Sequence, residues 1–175
     1  MKKFIILAIL FMLFACQTES ERSENLIGQG KIVTLVTPMG EHIKTILAID
    51  PQEQERGLSG VRPENFDEDE AMMFFNLEDE ERYFWMPDTY FDLDLFYLDK
   101  DLKIIDIVRK LPYYIGRSNP HLIPRARPVW ARHVLEMKAG SKISKNLKVG
   151  DVLTWKSPLT LKETEEKVRA FFKKN

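Results

Sequence analysis

Four carboxylates stand where chemistry could be done. Asp88, Asp92 and Asp94 lie in Tyr83–Leu98, a stretch of sixteen residues of which seven are aromatic. Glu136 lies in the apolar run Val134-Leu135-Glu136-Met137. A carboxylate in such a setting must be paired, hydrogen-bonded or wet, because a lone buried charge is very costly. The aromatic stretch is therefore the floor of a site or a core strand with a structural acid network. On a strand Asp92 and Asp94 share a face, and with Asp88 they offer oxygen ligands of the kind a hard cation takes. No calcium-binding loop, no His-x-x-x-His and no cysteine pair accompanies them, so no metal and no cofactor is expected. Glu136 and Asp94 have the residue types of a glycosidase pair, but spacing along the chain does not bring two groups together. Ser118 and His121 share a segment without a nucleophile-elbow pattern. His133 falls in a strand-like run and reads as a packed histidine rather than a base. The preferred reading makes Asp94 an acceptor for Arg56, Thr89 or backbone amides, a polar knot under the sheet with Trp85 beside it.

Charge gives a second constellation. From Glu64 to Asp94 there are twelve acids and one base, Arg82. From Ile107 to Leu135 there are no acids, but there are Arg109, Lys110, Arg117, Arg125, Arg127 and Arg132. With Tyr113, Tyr114 and Trp130 among them, these bases could meet lipid phosphates, an anionic glycan or an acidic protein partner. The competing reading folds the basic segment back on the acidic turns of its own domain. The chain as a whole is balanced, 26 Lys and Arg against 27 Asp and Glu.

The elements that must hold these residues are mostly strands. Residues 31–37 and 43–49 read as a hairpin across Pro38-Met39-Gly40-Glu41. Asp50-Pro51-Gln52-Glu53 opens a short helix, with Asp as cap and Pro at the first position. Residues 71–75, 95–98, 102–108, 130–137 and 152–155 read as further strands. The pair 95–98 and 102–108 is apolar on both faces, which predicts a central position. Residues 110–128 hold Pro112, Pro120, Pro124 and Pro128, a density that excludes helix and central strand and predicts a long loop, often a functional one. From Ser157 the chain reads as a C-terminal amphipathic helix, with Thr160 and Glu163 as a capping box and a face of Leu161, Val168, Phe171 and Phe172 that closes the core.

The N-terminus predicts a place in the cell. Met1-Lys2-Lys3 precedes eleven apolar residues, Phe4 to Phe14, too few to span a bilayer, which takes roughly 20, and suited to a secretory signal. The run ends in Leu13-Phe14-Ala15-Cys16, like a bacterial lipobox, with Cys16 as the lipidated residue. An ordinary signal peptide with an incidental cysteine is the alternative. Cys16 is the only cysteine, so stability is expected to come from core burial without disulfides. The expected organisation is a lipoprotein signal peptide over 1–15, a flexible tether over 16–30, a β-sandwich or barrel-like domain over 31–156 and the helix over 157–175. Gln17, rather than an aspartate, after the lipid site favours the outer over the inner membrane in a Gram-negative cell, with the domain facing the periplasm. Nucleic acid is not an expected partner in that compartment.

Five blocks carry a resemblance. Phe84-Trp85-Met86-Pro87-Asp88-Thr89-Tyr90-Phe91-Asp92-Leu93-Asp94 resembles Phe-Trp-Met-Lys-Asn-Thr, three residues, then Leu-Asp, the hallmark of the domain of unknown function 192 family. Arg56-Gly57-Leu58 resembles its Arg-Gly-Leu-Met, and Met72-Met73-Phe74 its Gly-Met-Leu-Phe. Ala131 to Glu136 resembles its Ala-Arg-Tyr-Val-Leu-Glu, and Val149-Gly150-Asp151 its closing Val-Gly-Asp. The resemblance runs over about residues 31–155 and implies a mainly β domain of sandwich type with short helices. It implies no activity, so no catalytic residue is carried over. Pro87 and Asp88 stand where the family has Lys and Asn, Ser59 where it has Met, Asp92 where it has Pro, and His133 where it has Tyr. Together these readings favour a non-enzymatic envelope lipoprotein, a binding or accessory module with its site between the hallmark and the loop 110–128. A hydrolase of cell-wall or glycan material, working through Glu136 or the Asp88–Asp94 cluster, is the alternative.

Overall fold

The structure, a computed structural model, describes residues 31–174. The expected signal peptide, the tether and Cys16 lie outside the described residues. The chain runs β1 (Lys31–Val36), β2 (His42–Ala48), α1 (Pro51–Arg56), a 3-10 turn (Pro63–Asn65), β3 (Glu70–Phe74), β4 (Glu80–Arg82), β5 (Leu93–Leu98), β6 (Ile104–Leu111), β7 (Val129–Ala131), β8 (His133–Lys138), α2 (Lys142–Asn146), β9 (Thr154–Lys156) and α3 (Leu161–Lys174). Seven strands form a mixed sheet in the order β6-β5-β8-β3-β2-β1-β9, and β4 pairs with β7 beside it. Among the described residues only β2 and β3 pair in parallel, which needs a crossover, and α1 lies in it. Asp50 caps that helix by accepting from Glu53 N at 2.8 Å, while the Glu53 carboxylate takes the Ile49 amide at 3.0 Å.

The sheet curls until its ends meet. β9 pairs with β1 at one edge. The residues just before it bond to the start of β6 at the other: Ile104 N donates to Asp151 O and Gly150 N to Ile104 O, both at 2.8 Å. The domain is thus mainly β and barrel-like. Period-two alternation sends one set of side chains inside and one outside. Leu35, Ile43, Leu47, Met73, Phe96 and Leu135 fill the interior, and Val168 of α3 closes it. The outer face of β5, β8 and β3 is buried as well: Leu95, Tyr97, Val134 and Phe74 lie under Leu58, Phe66 and Met86 from the covering loops.

Four expectations need correction. Tyr83–Leu98 is not one strand: Pro87 has no N–H to give a ladder and Asp88 has φ +51°, so 83–92 runs as a covering loop and only Leu93–Leu98 is β5. β5 is fully buried and central, but β6 is an edge strand, with Ile105, Arg109 and Lys110 exposed. The strand expected over 130–137 is split, because Arg132 leaves the ladder and donates its N–H to Leu98 O at 2.9 Å. The capping box of α3 forms, with Glu163 N on Thr160 Oγ1 at 3.2 Å, yet its buried face is Thr164 and Val168. Phe171 and Phe172 are 38% and 43% exposed and do not close the core.

Candidate functional site

The three acids of the aromatic stretch are fastened one after another to the end of β6 and the segment that follows it. Asp94, buried on β5, accepts from Lys110 N at 2.7 Å, from Arg109 Nη1 at 3.0 Å and from the Ser144 hydroxyl. Its partners are therefore not Arg56 and Thr89. Asp94 stands opposite two residues of β6, a β-bulge in which Lys110 takes φ +51°. Asp92 accepts from Tyr113 N at 2.9 Å. Asp88 accepts from Gly116 N at 3.0 Å and from Arg117 Nε at 2.8 Å. A carboxylate that satisfies backbone amides is doing structural work, and the expected groove between hallmark and loop is drawn shut along this line. What remains there is a shallow dish of about 330 Å³ between Tyr90, Phe91, Asp92 and Tyr113.

The basic segment does not stand free. Arg127 reaches Asp106 at 2.5 Å, and Arg132 reaches Asp79 at 2.6 Å and Glu165 at 3.6 Å. Arg125 lies over the Trp85 ring, 5.3 Å from its centre. Tyr114 is half-buried and bridges to Thr89, whose amide donates to its carbonyl at 3.0 Å. Tyr113 and Trp130 are exposed.

The deeper opening lies on the other side of the hallmark. A cleft of about 320 Å³ runs between residues 54–59, at the end of α1, and residues 81–87. Phe74, Phe84, Met86 and Leu93 wall it, Tyr83 and Trp85 stand along it, and Glu136 forms part of its lining. Glu136 is on β8, with Met72 and Leu95 as its cross-strand neighbours. Only 4% of it is exposed, and among the described residues no side chain or amide hydrogen-bonds its carboxyl. Burial without compensation pushes it up to about 8. The other polar groups of the cleft are already engaged. Gln54 Nε2 donates to Ala48 O, Phe75 O and Asn76 Oδ1, each at 3.2 Å. Ser59 Oγ donates to Pro87 O at 2.6 Å, and Arg82 binds Glu80 and the carbonyls of Glu78 and Ala131. Arg56 lines the cleft from its exposed rim. Of the sequence candidates, the cleft thus gathers Arg56, Trp85, Thr89 and Glu136, and excludes Asp88, Asp92 and Asp94.

The family model described as "Uncharacterized ACR", domain of unknown function 192, matches residues 34–155. The chain belongs to the domain of unknown function 192 family. A Sinorhizobium meliloti crystal structure with a provisional description as a transcription regulator is 28% identical with TM-score 0.54, covering 71% of this chain and 92% of that one. A Novosphingobium aromaticivorans crystal structure of a protein of unknown function is 24% identical with TM-score 0.56, covering 71% and 84%, and shows the fold alone. No curated protein matches.

The places where this domain of unknown function 192 departs from the family hallmark now have partners. Asp88 takes the left-handed conformation, which Asn and Asp accept better than other side chains, so the exchange of one for the other keeps the turn. Ser59 and Pro87, both departures, bond to each other. Asp92 holds the Tyr113 amide. His133 is fully buried against Phe75, ring centres 4.9 Å apart. Its Nδ1 accepts from Asn76 N at 3.2 Å, and its Nε2 has no partner among the described residues. Burial, with Arg132 and Arg82 nearby, holds it down to about 3, so it is neutral. Sequence reasoning did not reach Gln54, Phe74, Asn76 and Phe84 as cleft residues. The signal available for Phe84 was its place at the head of the hallmark; Gln54 and Asn76 gave none.

Proposed function

We propose that this chain is a membrane-anchored envelope lipoprotein whose domain binds a small ligand without transforming it. The observation that supports the binding reading is the cleft itself: apolar and aromatic walls with one convergent polar group, the usual make-up of a small-molecule site. Asp88, Asp92 and Asp94, the carboxylates expected as partners for Glu136, are tied into the fold. The site of the proposal therefore moves from the groove between hallmark and loop to the cleft over Glu136. Trp85 lines it, so its fluorescence, read in a Trp130→Phe, Trp155→Phe background, is the assay. Residues 31–175 are titrated with cell-wall fragments, lipid headgroups and small amines. A saturable change that disappears in Phe84→Ala supports the cleft; a set of ligands that leaves Trp85 unmoved defeats it.

The membrane anchor rests on Leu13-Phe14-Ala15-Cys16. Metabolic labelling with a palmitate analogue should mark the wild type and leave Cys16→Ser unlabelled; equal labelling refutes the anchor. The hydrolase alternative draws on Glu136, because a carboxyl held protonated near neutral pH is suited to general acid catalysis. It needs a second carboxylate across the cleft; of the rim acids Glu81 already accepts from the Tyr83 hydroxyl, which leaves Glu55. Release of reducing sugar from cell-wall material, abolished by Glu136→Gln, would favour it.

A further inference from the structure

The reading of the cleft as a binding site leaves the ligand's chemistry open, and the cleft's own polar inventory narrows it. A sugar brings many hydroxyls and needs many partners. Here the amide of Gln54, the hydroxyl of Ser59 and the guanidinium of Arg82 are spent on the fold. The deep group left over is a single carboxyl, Glu136, more than nine-tenths buried and lining an otherwise apolar pocket. At the mouth two carboxylates, Glu55 and Glu81, stand against Arg56, while Arg82, which also lines the cleft, is held by Glu80. The cation that the family hallmark would place near here as lysine is Pro87 in this chain.

We propose that the cleft takes a small organic cation, a primary ammonium on a short apolar body, with the charged head on the Glu136 carboxylate and the body against Phe74 and Phe84. This rests on the binding reading above. A largely buried carboxylate with no internal partner interacts more strongly with an ammonium than a fully solvated one does, and aromatic faces add to the attraction of a cation. Glu55 and Glu81 add negative charge at the mouth. An anion would be repelled by the same two carboxylates, with Arg56 as the lining base not already paired to an acid. A neutral hydroxyl would gain one hydrogen bond and no ion pair.

Binding then displaces a proton. At pH 7 a carboxyl held up at about 8 is about nine-tenths protonated, so each ammonium bound should release close to one proton to the buffer. Three probes of equal length separate the ligand classes: n-pentylamine, pentan-1-ol and valerate. The full-length chain in a mild non-ionic detergent is titrated calorimetrically at pH 7 in phosphate and in HEPES. The expected result is pentylamine binding at least tenfold tighter than either other probe, with a heat that differs between the buffers by about one proton's ionisation. Glu136→Gln should remove both the preference and the proton. Equal affinity for amine and alcohol, tighter binding of valerate, or amine binding indifferent to Glu136→Gln overturns the ammonium class and leaves the cleft standing as a binding site. No heat from any probe, with no ligand moving Trp85, overturns both together.

Discussion

Glu136→Gln should make the protein more stable at neutral pH, and the size of the gain can be worked out. The carboxyl rises from an ordinary 4.5 to about 8 on folding. Its folded value is raised, so its contribution is fully present below pH 4.5 and is lost as pH rises through 8. Each pH unit between those limits costs about 1.4 kcal/mol. At pH 7 the loss is therefore about 3 kcal/mol, and above pH 8 about 5 kcal/mol. Glutamine has nearly the shape of the protonated acid and does not titrate. The difference between variant and wild type at pH 4.5 is the baseline, and it should widen by about 3 kcal/mol at pH 7. For a domain of this size that corresponds to about 9 °C in melting temperature. Thermal melts of both proteins at half-unit steps from pH 4.5 to 8.5 read it directly. If the two curves run parallel across that range, Glu136 is not buried as a neutral acid, and the reasoning about the cleft floor fails with it. A gain of this kind marks a residue kept at the expense of stability, as binding and catalytic groups often are.

His133 should act on the acid side. Its folded value is depressed from 6.5 to about 3, so its contribution is present above pH 6.5 and fades as pH falls. The wild type should lose about 4 kcal/mol relative to His133→Phe by pH 3, measured by urea unfolding across that range. Between pH 4.5 and 6.5 the slopes of His133 and Glu136 are opposite and equal, so these two groups together should leave stability flat there. Asp94→Ala removes the acceptor of Arg109, Ser144 and the Lys110 amide and should cost about 3–5 kcal/mol; an unchanged melt would mean that the knot carries little. Gly57→Ala puts a side chain at φ +49° with Phe74 Cζ 3.1 Å from the new carbon, and should cost about 1–2 kcal/mol and weaken any cleft ligand, both read by melting with and without it.

Local signals were legible in the sequence wherever a local cause sufficed. The β1–β2 hairpin, the Asp50–Glu53 box and the Thr160–Glu163 box each arise within a few residues and could be read there. The central position of β5 was legible from an apolar run on both faces. The same pattern misled for β6, because an edge strand becomes apolar when covering loops and the barrel's closure bury parts of it. Asp94 was recognised as a knot, but Arg109 and Ser144 reach it through a bulge and from α2, across sequence gaps that no short pattern spans. Glu136 was named as a candidate without its defining property. That it stands alone depends on Met72 and Leu95 flanking it and on Gln54, Ser59 and Arg82 having bonded elsewhere, which is a fact of three dimensions.

The bulge at Arg109 and Lys110 has a consequence for how copies of this chain meet. An edge strand is a row of unpaired amides and carbonyls on which another chain can add a strand. β6 is such an edge over its outer length. The bulge bends it, Asp94 takes the Lys110 amide for itself, and the charges of Arg109 and Lys110 line the approach, with the Asp106–Arg127 pair beside them. At its other end the residues before β9 already occupy the bonding positions. Two copies brought side by side would have to align like charges along an irregular ladder. The edge is thus a poor template for fibre-like stacking, a property of particular use if the proposed lipid anchor crowds the domain in the plane of a membrane.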